Sequence, residues 1–407
     1  MTHLETWQPL FDTIAADALQ RELDHELPFE QVDWLKRAGF GALRVPVEHG
    51  GAGLTWPELA DLWIALAAAD NNLPQAFRGH FALAEDRLWH HRRGHDQRVW
   101  FERFVAGEIA GNAWSEVGPT PIDSQRTVLT ALPGDQGYRL DGTKYYTTGS
   151  IFAEWADVYA RLERPHRPEE GVDDFVIAIV DTRAAGVSVV DDWDGFGQRG
   201  TGSGTTSFEG VLVPSEHVLA FEDRFPHQTA VYQLNLLATL SGIAQSALRE
   251  VVAAVRVRER NYSHANAARV RDDPQVLSRI GEISSAAYVA RSATLQVAQA
   301  IERVAELATA GSDAVARANE AAEIEASQAQ VVVTSLVLQA TSDLFDTLGA
   351  SATSRLRGLD RHWRNARTVS SHNPRILKAR VVGEHEVNGT PPPYAWAIGA
   401  TRRDRVS

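Results

Sequence analysis

The chain has 407 residues, 44% of them apolar, enough to bury a sizeable core and to make disorder the poorer reading. Its 53 acidic against 40 basic side chains leave a net charge of −13, which argues against a nucleic acid or an anionic membrane as partner and leaves room only for a local basic pocket. There is no cysteine, so disulfides, thiolate-bound metals and thiol nucleophiles are excluded.

Residues 1–110 read as an α-helical domain. Leu10, Ile14 and Ala18, then Leu19, Leu23 and Leu27, recur at helical spacing, and Pro28 ends or redirects that helix. Gly50, Gly51 and Gly53 form a flexible loop, after which Pro57 opens an apolar helix closed by Asn71, Asn72 and Pro74. Residues 111–222 change texture. Alternating stretches at 126–132, 175–180, 187–190 and 205–213 predict strands, and Asp141-Gly142 predicts a hairpin turn. Short strands with frequent turns suggest a small barrel or sandwich. Residues 223–407 return to long helical patterns: 236–255, a helix opened by Pro274, and an alanine-rich helix at 321–341. Long helices with short connections indicate an antiparallel bundle, followed by an irregular tail at Pro391–Pro393.

No run of about 18 apolar residues predicts a membrane span. Residues 1–7 lack the pattern of a signal peptide, so the expected location is cytoplasmic. His90, His91 and His95 sit in a charged run that reads as surface, and no metal site is expected there. Gly195-Phe-Gly197-Gln-Arg-Gly200 matches GxGxxG but lies among strands, where a dinucleotide fingerprint does not belong.

Several motifs occur in a telling order: Glu48-His-Gly50-Gly51-Ala-Gly53, Asn112-Ala-Trp-Ser115-Glu116, Lys144-Tyr-Tyr146-Thr147-Thr148-Gly149, Phe208-Glu-Gly-Val-Leu-Val-Pro214, and Asp346-Thr-Leu-Gly349-Ala-Ser-Ala352 before Leu359–Arg367. Together they resemble the acyl-CoA dehydrogenase superfamily. That resemblance implies an α+β multidomain fold with an N-terminal helical domain, a middle β-barrel domain and a C-terminal four-helix bundle. Tyr145–Ser150, Gly197–Gly204 and His362–Thr368 with His372 are similar to a subgroup containing dibenzothiophene monooxygenase and sulfur-acquisition oxygenases.

The family's catalytic glutamate falls nine residues after Arg364, at a position that is Asn373 here. Its alternative base site falls near Tyr232, where Tyr232, Gln233 and Asn235 stand without a carboxylate. An amide has no basic lone pair near neutral pH and cannot abstract an α-proton. The resemblance therefore implies a monooxygenase that uses reduced flavin and O2 through a C4a-hydroperoxyflavin to oxygenate an organosulfur, other heteroatom or aromatic substrate. The alternatives are an FAD-dependent acyl-CoA dehydrogenase, an amine N-hydroxylase on the same fold, or a non-catalytic flavin-binding relative.

The candidate catalytic residues are His372, to hydrogen-bond and protonate the reacting oxygen, with Asn112 and His80. Candidate flavin contacts are Ser115, Tyr146, Thr147, Thr148 and Ser150, with Arg260, at the end of a basic helix, for the flavin phosphate and Arg364 and Arg367 for phosphate or a subunit interface. The expected cofactor is FMN, reduced by a separate NAD(P)H:flavin reductase, with FAD second, in a homotetramer.

Overall fold

In the computed structural model, which describes residues 2–118, 124–165 and 174–395, the first helix begins at a reciprocal cap. Thr2 N donates to Glu5 at 2.7 Å and Glu5 N to Thr2 Oγ1 at 3.3 Å. The helices that follow are α1 His3–Ala16, α2 Ala18–Asp24, α3 Phe29–Arg37, α4 Trp56–Ala69, α5 Leu73–Ala76, α6 Arg78–Arg92 and α7 Arg98–Val105. The helix expected to run to Pro28 stops at Asp24, because His25 turns left-handed with φ 59° and reverses the chain first.

The strands are β1 Ala110–Ala113, β2 Val128–Ala131, β3 Tyr138–Tyr145, β4 Trp155–Glu163, β5 Asp174–Asp181, β6 Val187–Val190, β7 Thr205–Val213 and β8 Val218–Ala220. They form one mixed sheet in the order β6-β7-β3-β2-β4-β5-β8, with β1 and β2 end to end along one edge of β4. The expected hairpin at Asp141-Gly142 is absent. β3 runs straight through it, with a register shift between Leu140 and Gly142 against β7. Gly142, at φ 149°, is a bulge residue: a Cβ there would meet the Thr127 backbone at 2.6 Å.

The C-terminal part holds α8 Gln228–Val257, α9 Pro274–Glu306, α10 Ser312–Asp343, α11 Asp360–His372 and α12 Arg375–Asn388. Asp273 caps α9 by accepting from Gln275 N at 2.9 Å, with Pro274 at the first helical position. One apolar core runs from Phe11, Trp63 and Phe81 of the first helices through Leu237 and Ile243 of α8 to Val297 and Val333 of the bundle. The sheet keeps its own core of Leu129, Leu140, Val158 and Phe208. Three units thus meet where α5 and α6, β1 and the β3–β4 turn, α8 and the end of α11 converge.

Candidate active site

Close backbone approach builds this junction. A Cβ on Gly79, at the start of α6, would meet Asn112 N at 2.8 Å, and one on Gly111 would meet the Ser150 backbone at 2.4 Å. The absent side chains let α6, β1 and the turn after β3 touch, and three polar residues collect there. Asn112 Oδ1 and Ser150 Oγ are buried without a partner among the described residues. Thr148 Oγ1 shares a 2.8 Å hydrogen bond with Ser203 Oγ, which shares another of 2.7 Å with Thr201. Buried polar atoms are nearly always paired, so two orphans this close together mark a place for a ligand.

The end of α11 supplies the second part. His372 Nδ1 and Asn373 Oδ1 lie 3.1 Å apart, so the neutral ring donates from Nδ1 and leaves Nε2 without a partner among the described residues. His372 is exposed at the end of α11, with protein packed closely around its ring. Enclosure, and then the positive charge of Arg78, push its pKa down to about 3, against the hydrogen bond it donates to Asn373.

Asn373 Nδ2 donates to Gln233 Oε1 at 2.9 Å, and its carbonyl accepts from Gln330 Nε2. The two positions where a dehydrogenase base was sought therefore hold neutral amides bonded to each other. Tyr232, beside Gln233, packs edge-on against Trp114 at 5.6 Å. Its hydroxyl has no partner among the described residues, and burial raises its pKa.

The other expected site residues divide. Ser115 sits beside Lys144, whose fully buried ammonium donates to Glu116 at 2.8 Å, Gln125 at 2.6 Å and Trp114 O at 3.1 Å. Burial lowers the Lys144 pKa to about 8 against the pull of Glu116, and the cluster fixes the segment carrying Ser115. Tyr146 is exposed and packs on Tyr145 and Trp193.

Thr147 is spent on the fold: its hydroxyl donates to Gly204 O at 2.9 Å and accepts from Thr206 at 2.8 Å. His80 is a correction of the same kind. Nε2 lies 2.7 Å from Gly41 O and Nδ1 accepts from Ala110 N at 3.3 Å, so both nitrogens serve backbone. Burial lowers its pKa to about 4. It pins the start of β1 to the first helices rather than facing the cleft.

The arginines also move. Arg364 pairs with Glu22 at 2.9 Å and Asp360 at 2.8 Å and donates to Phe196 O at 2.8 Å, tying α2, α11 and the 195–204 loop together. Arg367 is exposed on α11. Arg260 stands past the end of α8, in an exposed loop, not on the helix as expected. At 1.5 Å per residue, α8 separates Tyr232 from that end by roughly 40 Å. Arg260 therefore cannot serve a ligand at His372 of its own chain. Beside it lies a separate cleft of ≈ 490 Å³ lined by Arg258, Tyr262, Arg279 and Gly349.

The GxGxxG stretch is, as expected, no dinucleotide loop. It forms a single 3-10 turn at Arg199–Thr201 leading into β7, and Gln198 N donates to Asn365 while Gly200 N donates to Asn72 at 3.1 Å. Sequence reasoning missed Arg78 altogether, since an arginine at a helix start has no pattern that marks it as buried.

Two family models match the chain: the acyl-CoA dehydrogenase middle domain over residues 117–211 and its C-terminal domain over 236–374. The chain belongs to the acyl-CoA dehydrogenase family. A dibenzothiophene monooxygenase of Rhodococcus qingshengii is 29% identical over 369 residues, 88% of this chain and 86% of the relative. The crystal structure of TdsC from Paenibacillus sp. A11-2 with FMN and indole superposes with a TM-score of 0.86 at 28% identity, covering 96% of this chain and 98% of that one. Methanesulfinate monooxygenase MsuC of Pseudomonas fluorescens superposes at 0.84 with 25% identity, covering 97% and 99%.

Proposed function

We propose that this protein is a flavin-dependent monooxygenase of organosulfur compounds, taking reduced FMN from a separate reductase. The observation that carries the reading is the pair of hydrogen-bonded amides, Asn373 and Gln233, at both positions where a dehydrogenase would hold its base. Without a carboxylate there, α-proton abstraction from an acyl thioester has no base.

The residues at the junction fit a flavin. Its rim alternates donors and acceptors, and Asn112 Oδ1 and Ser150 Oγ are the unsatisfied groups that such a rim would meet, with Thr148 and Ser203 beside them. When bound, reduced flavin supplies the two electrons that let O2 give one atom to the substrate and the other to water.

The chain's own part is proton control and exclusion of water. His372, neutral at pH 7, is held in one tautomer by Asn373, and Nε2 is free to hold or return a proton at the reacting oxygen. Asn373 is fixed in turn by Gln233 and Gln330, so the ring is oriented from behind. Trp114 and Tyr232 wall the cleft against solvent. Long helices such as α9 and α10 suit bundle-to-bundle packing, and a homotetramer is part of the proposal. No described helix is long and apolar enough to cross a membrane.

Rapid mixing of protein loaded with reduced FMN against oxygenated buffer tests the reading. A transient absorbance distinct from both reduced and oxidised flavin, lost in His372→Ala, is the expected result. Direct reoxidation, together with acyl-CoA turnover under an artificial electron acceptor, would sink it.

A further inference from the structure

Arg78 is only 5% exposed, yet its guanidinium makes no hydrogen bond and no ion pair among the described residues, and Nε is an orphan buried atom. Its one close companion is the ring of Tyr232, 5.2 Å below the guanidinium carbon. The nearby charges are already matched. Arg224 is paired with Asp157 at 2.7 Å, and Arg87 is paired with Asp86. His372 is neutral, and burial raises the Tyr232 pKa, so its phenol is neutral too.

The junction therefore carries one uncompensated positive charge. Burying an unpaired charge is costly, and natural chains rarely keep one without a use. Burial depresses the Arg78 pKa to about 10, which still leaves the group charged at neutral pH.

We propose that Arg78 is a substrate-binding residue and that the substrate carries its negative charge at or beside the sulfur to be oxidised, as an alkanesulfinate does. The inference rests on the monooxygenase reading above and narrows it. Arg78 lies over the ring of Tyr232 at 5.2 Å, and the next residue, Gln233, is bonded at 2.9 Å to Asn373, which is bonded at 3.1 Å to His372. An anion held by Arg78 is therefore beside the proton-handling group, not at the far end of a long molecule. A thioether with a remote carboxylate would place its charge elsewhere. A neutral polycyclic thioether would leave the guanidinium unpaired. A sulfinate presents two oxygens to the planar fork of an arginine and keeps a lone pair on sulfur.

The reaction balances as follows. The sulfinate sulfur lone pair forms a new S–O bond, the O–O bond derived from O2 breaks, and the second oxygen leaves as water. Two electrons and two protons come from reduced flavin, and the sulfinate becomes a sulfonate.

The test measures binding apart from turnover. Protein loaded with oxidised FMN is titrated calorimetrically with methanesulfinate and with dimethyl sulfoxide, a neutral molecule of nearly the same size. Wild type should bind methanesulfinate at least tenfold more tightly than dimethyl sulfoxide. Arg78→Ala should erase that preference while changing FMN affinity less than twofold, and Arg78→Lys should restore part of it. Circular dichroism confirms that each variant is folded.

Equal binding of the two probes to wild type would overturn the proposal. So would an Arg78→Ala variant that loses FMN and keeps its sulfinate preference. Rapid mixing with reduced FMN separates the two levels of argument. A transient that methanesulfinate does not consume faster defeats the substrate assignment alone, whereas no transient defeats the monooxygenase reading beneath it.

Discussion

Two buried polar regions lie within a few turns of each other on α6, and they are built to opposite rules. Around Glu85 the charges are paired. Arg44 meets its carboxylate at 2.6 Å, His227 lies at 3.1 Å, and Glu302 closes on Arg44 from α9 at 3.4 Å. Around Arg78, two turns earlier, little is paired: Arg78 Nε, Asn112 Oδ1, Ser150 Oγ and Tyr232 OH all lack partners among the described residues. The same helix carries one cluster whose charges are matched and another whose charge is not. Satisfied buried polar groups rigidify, and unsatisfied ones store binding energy for whatever completes them.

Mutations should separate the two regions. Glu85→Ala strands Arg44 and should cost about 3–5 kcal/mol in urea unfolding; a loss below about 1 kcal/mol would erase the contrast. His372→Ala belongs to the other region. It should lower single-turnover oxygenation by on the order of 100-fold or more while barely moving the unfolding midpoint. A midpoint shift as large as that of Glu85→Ala would make His372 structural.

Acid should weaken the fold through its buried titratable groups. The Glu85 pKa is held down to about 2; burial, the largest influence, opposes this, and Arg44 and His227 overcome it. Its contribution is fully present above about pH 4.5 and is lost as pH falls towards 2, about 3 kcal/mol in all. His80, with a pKa near 4, resists a proton that the unfolded chain accepts below about 6.5, so it also removes stability as pH falls from 6.5 to 4. Unfolding midpoints measured from pH 7 to pH 3 should decline throughout. A flat profile would show that neither group differs between folded and unfolded chains.

Arg78→Met should do the reverse of Glu85→Ala and stabilise the ligand-free protein by about 1–2 kcal/mol, because an unpaired charge is removed. Destabilisation would reveal a partner for Arg78. The finest contrast is between two neighbouring hydroxyls. Thr147→Val breaks two hydrogen bonds and should cost about 1–2 kcal/mol without weakening FMN, whereas Ser150→Ala should leave stability within about 0.5 kcal/mol and weaken FMN several-fold. Equilibrium flavin titration and urea melts on both variants decide it.

The periodic helices, the strands of the middle unit and the order of the motifs were legible in the sequence, because helix and strand patterning is local and motif order survives as a string. The absence of a dehydrogenase base was legible too, since it is a matter of residue identity at Asn373 and near Gln233. That these two amides bond each other was not, because 140 residues separate them. The hairpin expected at Asp141-Gly142 failed for a related reason. Only the crossing Thr127 backbone reveals that the glycine makes room rather than a turn.

Whether a polar side chain is free or spent was decided entirely by tertiary structure. His80 and His372 are the same residue type, but Gly41 O and Ala110 N consume the first, while Nε2 of the second has no partner among the described residues. Thr147 and Ser150, three positions apart, divide in the same way. Arg78 carried no signal in the sequence, for a charge becomes informative only when the folded chain buries it and supplies no counter-charge. The sequence by itself determined the family and the missing base; packing of α6 against β1, α8 and the end of α11 determined which groups remain for a substrate, because hydrogen-bond partners come from distant segments.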